Sequence, residues 1–418
     1  MEYSIIDFIG MLIAILAILI FSAPIARWLH LPHSFMLILV GFLGSELLVW
    51  QDIDTGIRWT NFHDLIFYVL LPALIFDAAF RMDLEEFINN ITPILTLAVP
   101  LLLVAAAIGG GIIYLLIGSP QAFPWIAALL AGAIIAPTDP TAVATVAHHT
   151  PLPKRIKMLI EGESLLNDAT ALILFVIILA ISVEIAMGET VDIPYWSGLV
   201  SFLVVFFGGS ALGTMIAIPG CVLIHKLKDH NAQSAVTVLC AYGSYLLADY
   251  EKVGVSGIMA VLTCGILMGA YVRKGDKEET RDFLNKIWSF LAHLSESMIF
   301  LLAGVTITFS LFANQWLAML IGVVAALVSR SVIVYGGFVL FNRTTYKTVR
   351  VPLKEQSMVA LGGVRGAFTM ALALSLPLSL DYWFTVQAIA YGVVLFTLLA
   401  QTSALEILVS KVNKTVKT

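Results

Sequence analysis

The segment GESLLNDAT, with Glu161 just before it, sets three carboxylates, a hydroxyl and a carboxamide within eight residues, from Glu161 to Asp168. It then runs on into ALILFVIILAI, a stretch as apolar as lipid. On a helix Glu163 and Asn167 lie one turn apart, as do Ser164 and Asp168. These four side chains share one side, within about 140° at about 100° per residue. Oxygen ligands of this kind suit a hard cation, and a carboxylate among them also carries a proton. The alternative for Asp168 is a capped or salt-bridged structural acid, which would not need the polar face around it. Glu161 lies nearer a basic stretch, where Lys154 or Lys157 would pair with it.

A second polar island is AGAIIAPTDPTAVATV, in which Pro137 and Pro140 bracket Thr138 and Asp139. Proline removes a backbone donor and clashes with the preceding turn, and the residue before it avoids helical torsions. Thr138 and Asp139 are therefore expected on unwound chain, which apolar surroundings tolerate only inside protein or beside a cavity. A plain proline kink is the alternative. A third island, MVALGGVRGAFTMALAL, surrounds Arg365 with Gly362, Gly363 and Gly366 and reads as another interrupted helix. Arg330, in AALVSRSVIVYGG, needs an acidic partner, for which Glu163 is a candidate. Asp77, in FYVLLPALIFDAAF, is a further acid with apolar neighbours, or else a charge beside Arg81 at the end of its segment. Glu296 and His293 are expected to face an internal vestibule.

The elements that position these groups follow from composition. The chain has 418 residues, 60% hydrophobic and 12% charged, with a mean hydropathy of +0.96. A soluble protein carries about twice that charge. Apolar runs of about 20 residues, enough to cross about 30 Å of hydrocarbon, recur throughout. They predict an all-α integral membrane protein with about 13 spans, near 4–26, 34–50, 61–80, 91–117, 123–147, 156–183, 197–224, 232–249, 255–272, 284–311, 315–341, 354–379 and 383–410. The first run lacks the basic start of a signal peptide and is expected to be retained. Nineteen basic residues fall in the odd-numbered loops and tail, against Arg58 and Lys252 in the even ones. The positive-inside rule then predicts an outside N-terminus and a cytoplasmic C-terminus. Only Arg330 and Arg365 fall within spans, where an ionisable group is by default functional. Cys221, Cys240 and Cys264 show no metal or redox spacing and read as small fillers. No nucleotide loop, metal cluster or nucleophile triad points to an enzyme, a cofactor or a nucleic-acid partner. His148 and His149 are expected in a loop. Two broken segments, one five spans in and one near the end, suggest inverted repeats with a midplane site.

GESLLNDAT with APTDPTAVATV, LLPALIFDAAF and GGVRGAF resembles the NhaP-type monovalent cation/proton antiporters, which include the animal sodium/proton exchangers. The resemblance spans essentially the whole chain, and all four motifs occur in the family's order. It implies 13 helices in an inverted-repeat fold, with two broken helices crossing at the midplane, a homodimer in the cell membrane and an elevator motion. Scaffold helices would lie mainly in spans 1–3 and 7–10, and ion-binding helices in spans 4–6 and 11–13, in a single domain over 1–418 without a soluble regulatory domain. The family's Asn-Asp pair matches Asn167 and Asp168, its Thr-Asp-Pro element Thr138, Asp139 and Pro140, its preceding Glu and Ser Glu163 and Ser164, and its arginines Arg330 and Arg365. Many bacterial relatives have Glu at the third-span acid, where this chain has Asp77. The implied activity is electroneutral exchange of Na⁺, or Li⁺, for H⁺, both competing for Asp168. Asp168, Ser164 and Thr138 would hold the cation, Arg330 would pair with Glu163, and Arg365 with Asp139. A K⁺/H⁺ antiporter on the same scaffold, a cation channel and a transport-free sensor are the alternatives.

Overall fold

In hydrocarbon a backbone finds hydrogen-bond partners only within its own helix or a closed barrel, and these runs lack strand alternation. The computed structural model describes residues 5–29, 31–51, 62–119, 122–140, 154–187, 195–275, 278–344 and 351–417. Its elements are α1 (Ile5–Leu29), α2 (His33–Trp50), α3 (Phe62–Arg81), the short α4 (Leu84–Asn89), α5 (Ile91–Ile117), α6 (Trp125–Ile135) and α7 (Lys154–Ala186). They continue with α8 (Tyr195–Lys226), α9 (His230–Asp249), α10 (Gly257–Gly275), α11 (Glu278–Thr306), α12 (Phe309–Thr344), α13 (Leu353–Gly362), α14 (Ala367–Leu374) and α15 (Trp383–Ser410). Among the described residues nine of these are long and apolar enough to cross a membrane. The helices α1, α6 and α9 and the α13–α14 pair occupy the other expected spans. His148, His149 and Arg58 lie outside the described residues.

Helix irregularities have local causes. In α3 a wider turn over Ile66–Leu70 precedes Pro72, and the Tyr242 hydroxyl of α9 donates to the Val69 carbonyl at 2.9 Å. In α5 the backbone bends at Val99, just before Pro100. A second wide turn, Thr397–Gln401 in α15, has no proline; it lies beside the break between α13 and α14.

The helices associate in two groups. In one, α10 packs on α3, α8 and α9, while α2 and α3 pack on α11. In the other, α5 packs on α6, α7 and α12, and α15 on α12 and α6. Without a hydrophobic drive between helices in lipid, small residues permit the close approach that dispersion requires. A Cβ at Gly41 would stand 2.5 Å from the Leu301 carbonyl oxygen, and one at Gly110 2.9 Å from that of Ala128. Leu199, Leu203, Val204 and Phe207 of α8 are exposed, as lipid-facing side chains are.

Candidate ion-binding site

The site forms where two interrupted helices meet. The helix α6 stops at Ile135, and Pro137 and Pro140 leave Thr138 and Asp139 extended, as the sequence predicts. Helix α13 stops at Gly362, and α14 starts at Ala367 after the four residues Gly363 to Gly366. The two breaks pair directly: Asp139 N–H donates to the Val364 carbonyl at 2.6 Å, an isolated antiparallel bridge. The glycines are needed for space. A Cβ at Gly363 would stand 2.5 Å from Arg330 Nε and 3.1 Å from Thr138 Cγ2, and one at Gly366 would overlap the Asp139 carboxylate.

Helix α7 brings its polar side against the first break. Ser164 Oγ donates to the Thr138 carbonyl, and Asn167 Nδ2 donates to Thr138 Oγ1 at 2.9 Å. Glu163, Ser164, Asn167 and Thr138 are all buried. Two buried oxygens here have no donor: Asn167 Oδ1 and Asp168 Oδ1. Buried polar atoms are normally satisfied, and these two acceptors receive no donor from the protein. Asp168 also lies within electrostatic reach of Asp139. Among the described residues no group of three or more His, Cys, Asp or Glu could hold a metal ion. The oxygens on offer are instead a carboxylate, a carboxamide, a hydroxyl and a main-chain carbonyl.

The neighbouring charges are compensated. Arg330 Nη1 donates to Glu163 Oε1, and Nη2 donates to Oε2 at 3.0 Å and to the Val359 carbonyl at 3.0 Å. This forked pair is almost fully buried, with side-chain exposures of 4% and 2%. The expected Glu163–Arg330 pairing is therefore present. The expected Asp139–Arg365 pairing is replaced. Arg365 donates to three main-chain carbonyls: Ile135 at 2.9 Å, Gly363 at 2.7 Å and Ala326 at 3.2 Å. The Ile135 and Gly363 carbonyls are freed by the helix breaks and need donors, and a buried guanidinium supplies several at once, reaching the α12 carbonyl of Ala326 as well. Asp139 Oδ2 instead accepts from Ala367 N–H at 3.2 Å, at the positive end of α14.

Two contributors escaped the sequence reading. Gln401 Nε2 donates to the carbonyls of Leu361 (3.0 Å), Gly363 (3.2 Å) and Ala360 (3.3 Å). Thr397 Oγ1 accepts from Arg365 N–H at 3.1 Å. They sit four residues apart in their span, and that spacing was the available signal. Glu161 is 3.7 Å from Lys157, one of its two expected partners.

Asp77 is held by Arg81, whose Nε donates to it at 2.7 Å. The structure thus contains the Asp77–Arg81 charge pair, one of the two readings of this acid. Arg81 also lines a cavity of about 510 Å³, together with Asp282, Asn285, Lys286, Ser289 and His293. His293 is exposed in the wall of this open depression rather than facing an internal vestibule. Glu296, one turn further along α11, hydrogen-bonds Ser34 and lies within electrostatic reach of Asp139.

Known proteins are similar to this chain in sequence and in fold. A family model described as sodium/hydrogen exchanger, transmembrane, matches residues 12–411. The chain is 31% identical over 387 residues to the Na(+)/H(+) antiporter ApNhaP of Aphanothece halophytica, covering 92% of this chain and 70% of that one. It is 29% identical over 411 residues to the Na(+)/H(+) antiporter NhaH of Halobacillus dabanensis, covering 96% and 97% of the two chains. The fold matches that of the sodium proton antiporter MjNhaP1 of Methanocaldococcus jannaschii with a TM-score of 0.79 over 96% of this chain and 98% of that one, at 20% identity. The chain is accordingly a multi-pass membrane protein that belongs to the sodium/hydrogen exchanger family.

Proposed function

We propose that the protein exchanges Na⁺, or Li⁺, for H⁺ across the cell membrane, one for one, with Asp168 as the shared seat. The observation that carries this reading is the pair of orphaned buried oxygens, Asp168 Oδ1 and Asn167 Oδ1, at the crossing of the broken helices. Glu163 is neutralised by Arg330, and Asp139 faces the α14 N-terminus. Asp168 is then the carboxylate left for a travelling positive charge. A proton satisfies it by forming the neutral acid. A cation satisfies it by accepting Asp168, Ser164 and Thr138 oxygens as ligands and displacing the proton. A bare carboxylate in that position costs several kcal/mol, on the order of other uncompensated buried charges. The unloaded site therefore does not cross, and exchange is favoured over leak.

Asn167 cannot titrate, so one proton balances one cation and the cycle moves no net charge. The two helix groups support an elevator motion, in which the group carrying α5–α7 and α12–α15 slides past a homodimeric scaffold. The charge bias of the loops supports a cytoplasmic C-terminus and an external N-terminus.

The test is ΔpH dissipation in proteoliposomes with Na⁺, Li⁺ and K⁺ added in turn. Na⁺ or Li⁺ should collapse the gradient, and Asp168→Asn should abolish the response while the protein elutes as the same folded species. Retained exchange in that variant would refute the assignment. Dissipation by K⁺ alone would make the protein a K⁺/H⁺ antiporter.

A further inference from the structure

Three helices of the first group, α8, α9 and α10, bring sulfur atoms together away from the helix crossing. Cys240 lies on α9 and Cys264 on α10, with Met268 one turn further along α10. All three side chains are buried, and both cysteines are free thiols. Cys264 Sγ donates to Met268 Sδ at 3.5 Å, and the thiols of Cys240 and Cys264 are hydrogen-bonded to each other. Gly220 on α8 lets the sulfurs approach a third backbone. A Cβ there would stand 2.6 Å from Cys240 Sγ and 3.6 Å from Met268 Sδ. Sulfurs of α9 and α10 thus converge on one point. Spacing along the chain does not bring them there; the packing of α8 and α9 on α10 does.

We propose that Cys240 Sγ, Cys264 Sγ and Met268 Sδ form a site for one soft monovalent cation, Cu⁺ or Ag⁺, separate from the Na⁺ site. Thiols and thioethers are weak hydrogen-bonding groups, so the trio gains little from its internal contacts. The same atoms are polarizable donors of the kind that selects Cu⁺ over hard ions. Zn²⁺ wants four ligands in a tetrahedron, and these sulfurs fall one short. Cys221, next to Gly220, does not make a three-thiol metal group with the other two cysteines. On binding, one thiol gives up its proton and its sulfur bonds to the ion, while the other thiol and the thioether donate lone pairs. The ion's single charge replaces the proton's, so the buried site stays neutral and avoids the cost of an uncompensated charge. No electron is transferred. The bound ion ties α9 to α10.

The test is anaerobic titration of the detergent-purified full chain with Cu⁺ against a chromogenic Cu⁺ chelator. One ion should bind per chain with release of one proton, read in weakly buffered solution. Tm should rise about 3 °C at about a hundredfold excess over the Kd, and Zn²⁺ should give neither effect. Met268→Leu keeps the side-chain volume and should weaken Cu⁺ binding about tenfold or more. Cys240→Ala and Cys264→Ala should each abolish it, whereas Cys221→Ala should bind as wild type. No binding by the wild type overturns the proposal. So does undiminished binding in Met268→Leu, loss of binding in Cys221→Ala, or equal binding of Zn²⁺. Should the Cys240 and Cys264 variants fail to fold, Met268→Leu and the proton count still decide. The inference does not depend on the antiport reading, and Asp168→Asn should bind Cu⁺ as wild type does.

Discussion

Replacing Arg330 by alanine isolates what the buried ion pair does. The substitution leaves the Glu163 carboxylate, 2% exposed, without its forked partner. Breaking a buried pair from one side costs about 3–5 kcal/mol, because the remaining charge has neither water nor counter-ion. Unfolding entropy of about 2.1 cal/mol/K per residue, over 418 residues, gives about 0.9 kcal/mol/K. The expected fall in Tm is then about 3–6 °C. Thermal unfolding of detergent-purified protein, followed by fluorescence-detected size exclusion, measures it. Adding Glu163→Gln to Arg330→Ala removes the stranded charge and should recover a third or more of the loss, since contacting residues couple by about 0.5–3 kcal/mol. An Arg330→Ala protein that melts with wild type would refute the reasoning. So would a double variant whose losses simply add.

Further outcomes follow from the same geometry. Asn167→Asp supplies a second titratable carboxylate at the site and should make exchange respond to an imposed membrane potential, whereas the wild type should not; a clamped-voltage proteoliposome assay distinguishes them. Ser164→Ala removes a hydroxyl from the proposed cation shell and should raise the KM for Na⁺ about tenfold, if one charge-assisted contact of about 1.5 kcal/mol is lost. Gly366→Ala drives a methyl into the Asp139 carboxylate and should cost about 1–3 kcal/mol as an overpacked site, read as a lowered Tm with exchange impaired. Gln401→Leu withdraws a donor from three carbonyls and should cost about 1–3 kcal/mol, seen in the same melting assay.

The spans, the broken helices and the Glu163–Arg330 pair were legible because each rests on a local rule. Apolar run length sets the first, proline and glycine spacing the second, and the need of a buried charge for its opposite the third. The destination of Arg365 was not legible. Sequence shows its charge and depth, but which carbonyls a break turns inward depends on how two separate breaks cross. Asp139 failed for the same reason: its donor is the first amide of a helix more than two hundred residues away. Gln401 was passed over because its four-residue spacing from Thr397 names no partner on another helix. Its role appears only once the wide turn in α15 is seen beside the α13–α14 gap. Asp77 and Arg81 were readable as an i,i+4 pair, yet the reach of Arg81 to Asn285 and Ser289 required the packing of α3 on α11.

The link between the two breaks, Asp139 N–H to the Val364 carbonyl, consists of main chain alone. No side chain contributes an atom to it, so substitutions that keep the glycines at 363 and 366 leave it intact. The frame that aligns the interrupted helices is thus separate from the side chains proposed to hold the ion. Selection can alter Thr138, Ser164 or Asn167 to suit a different cargo while the joint beneath them stays the same.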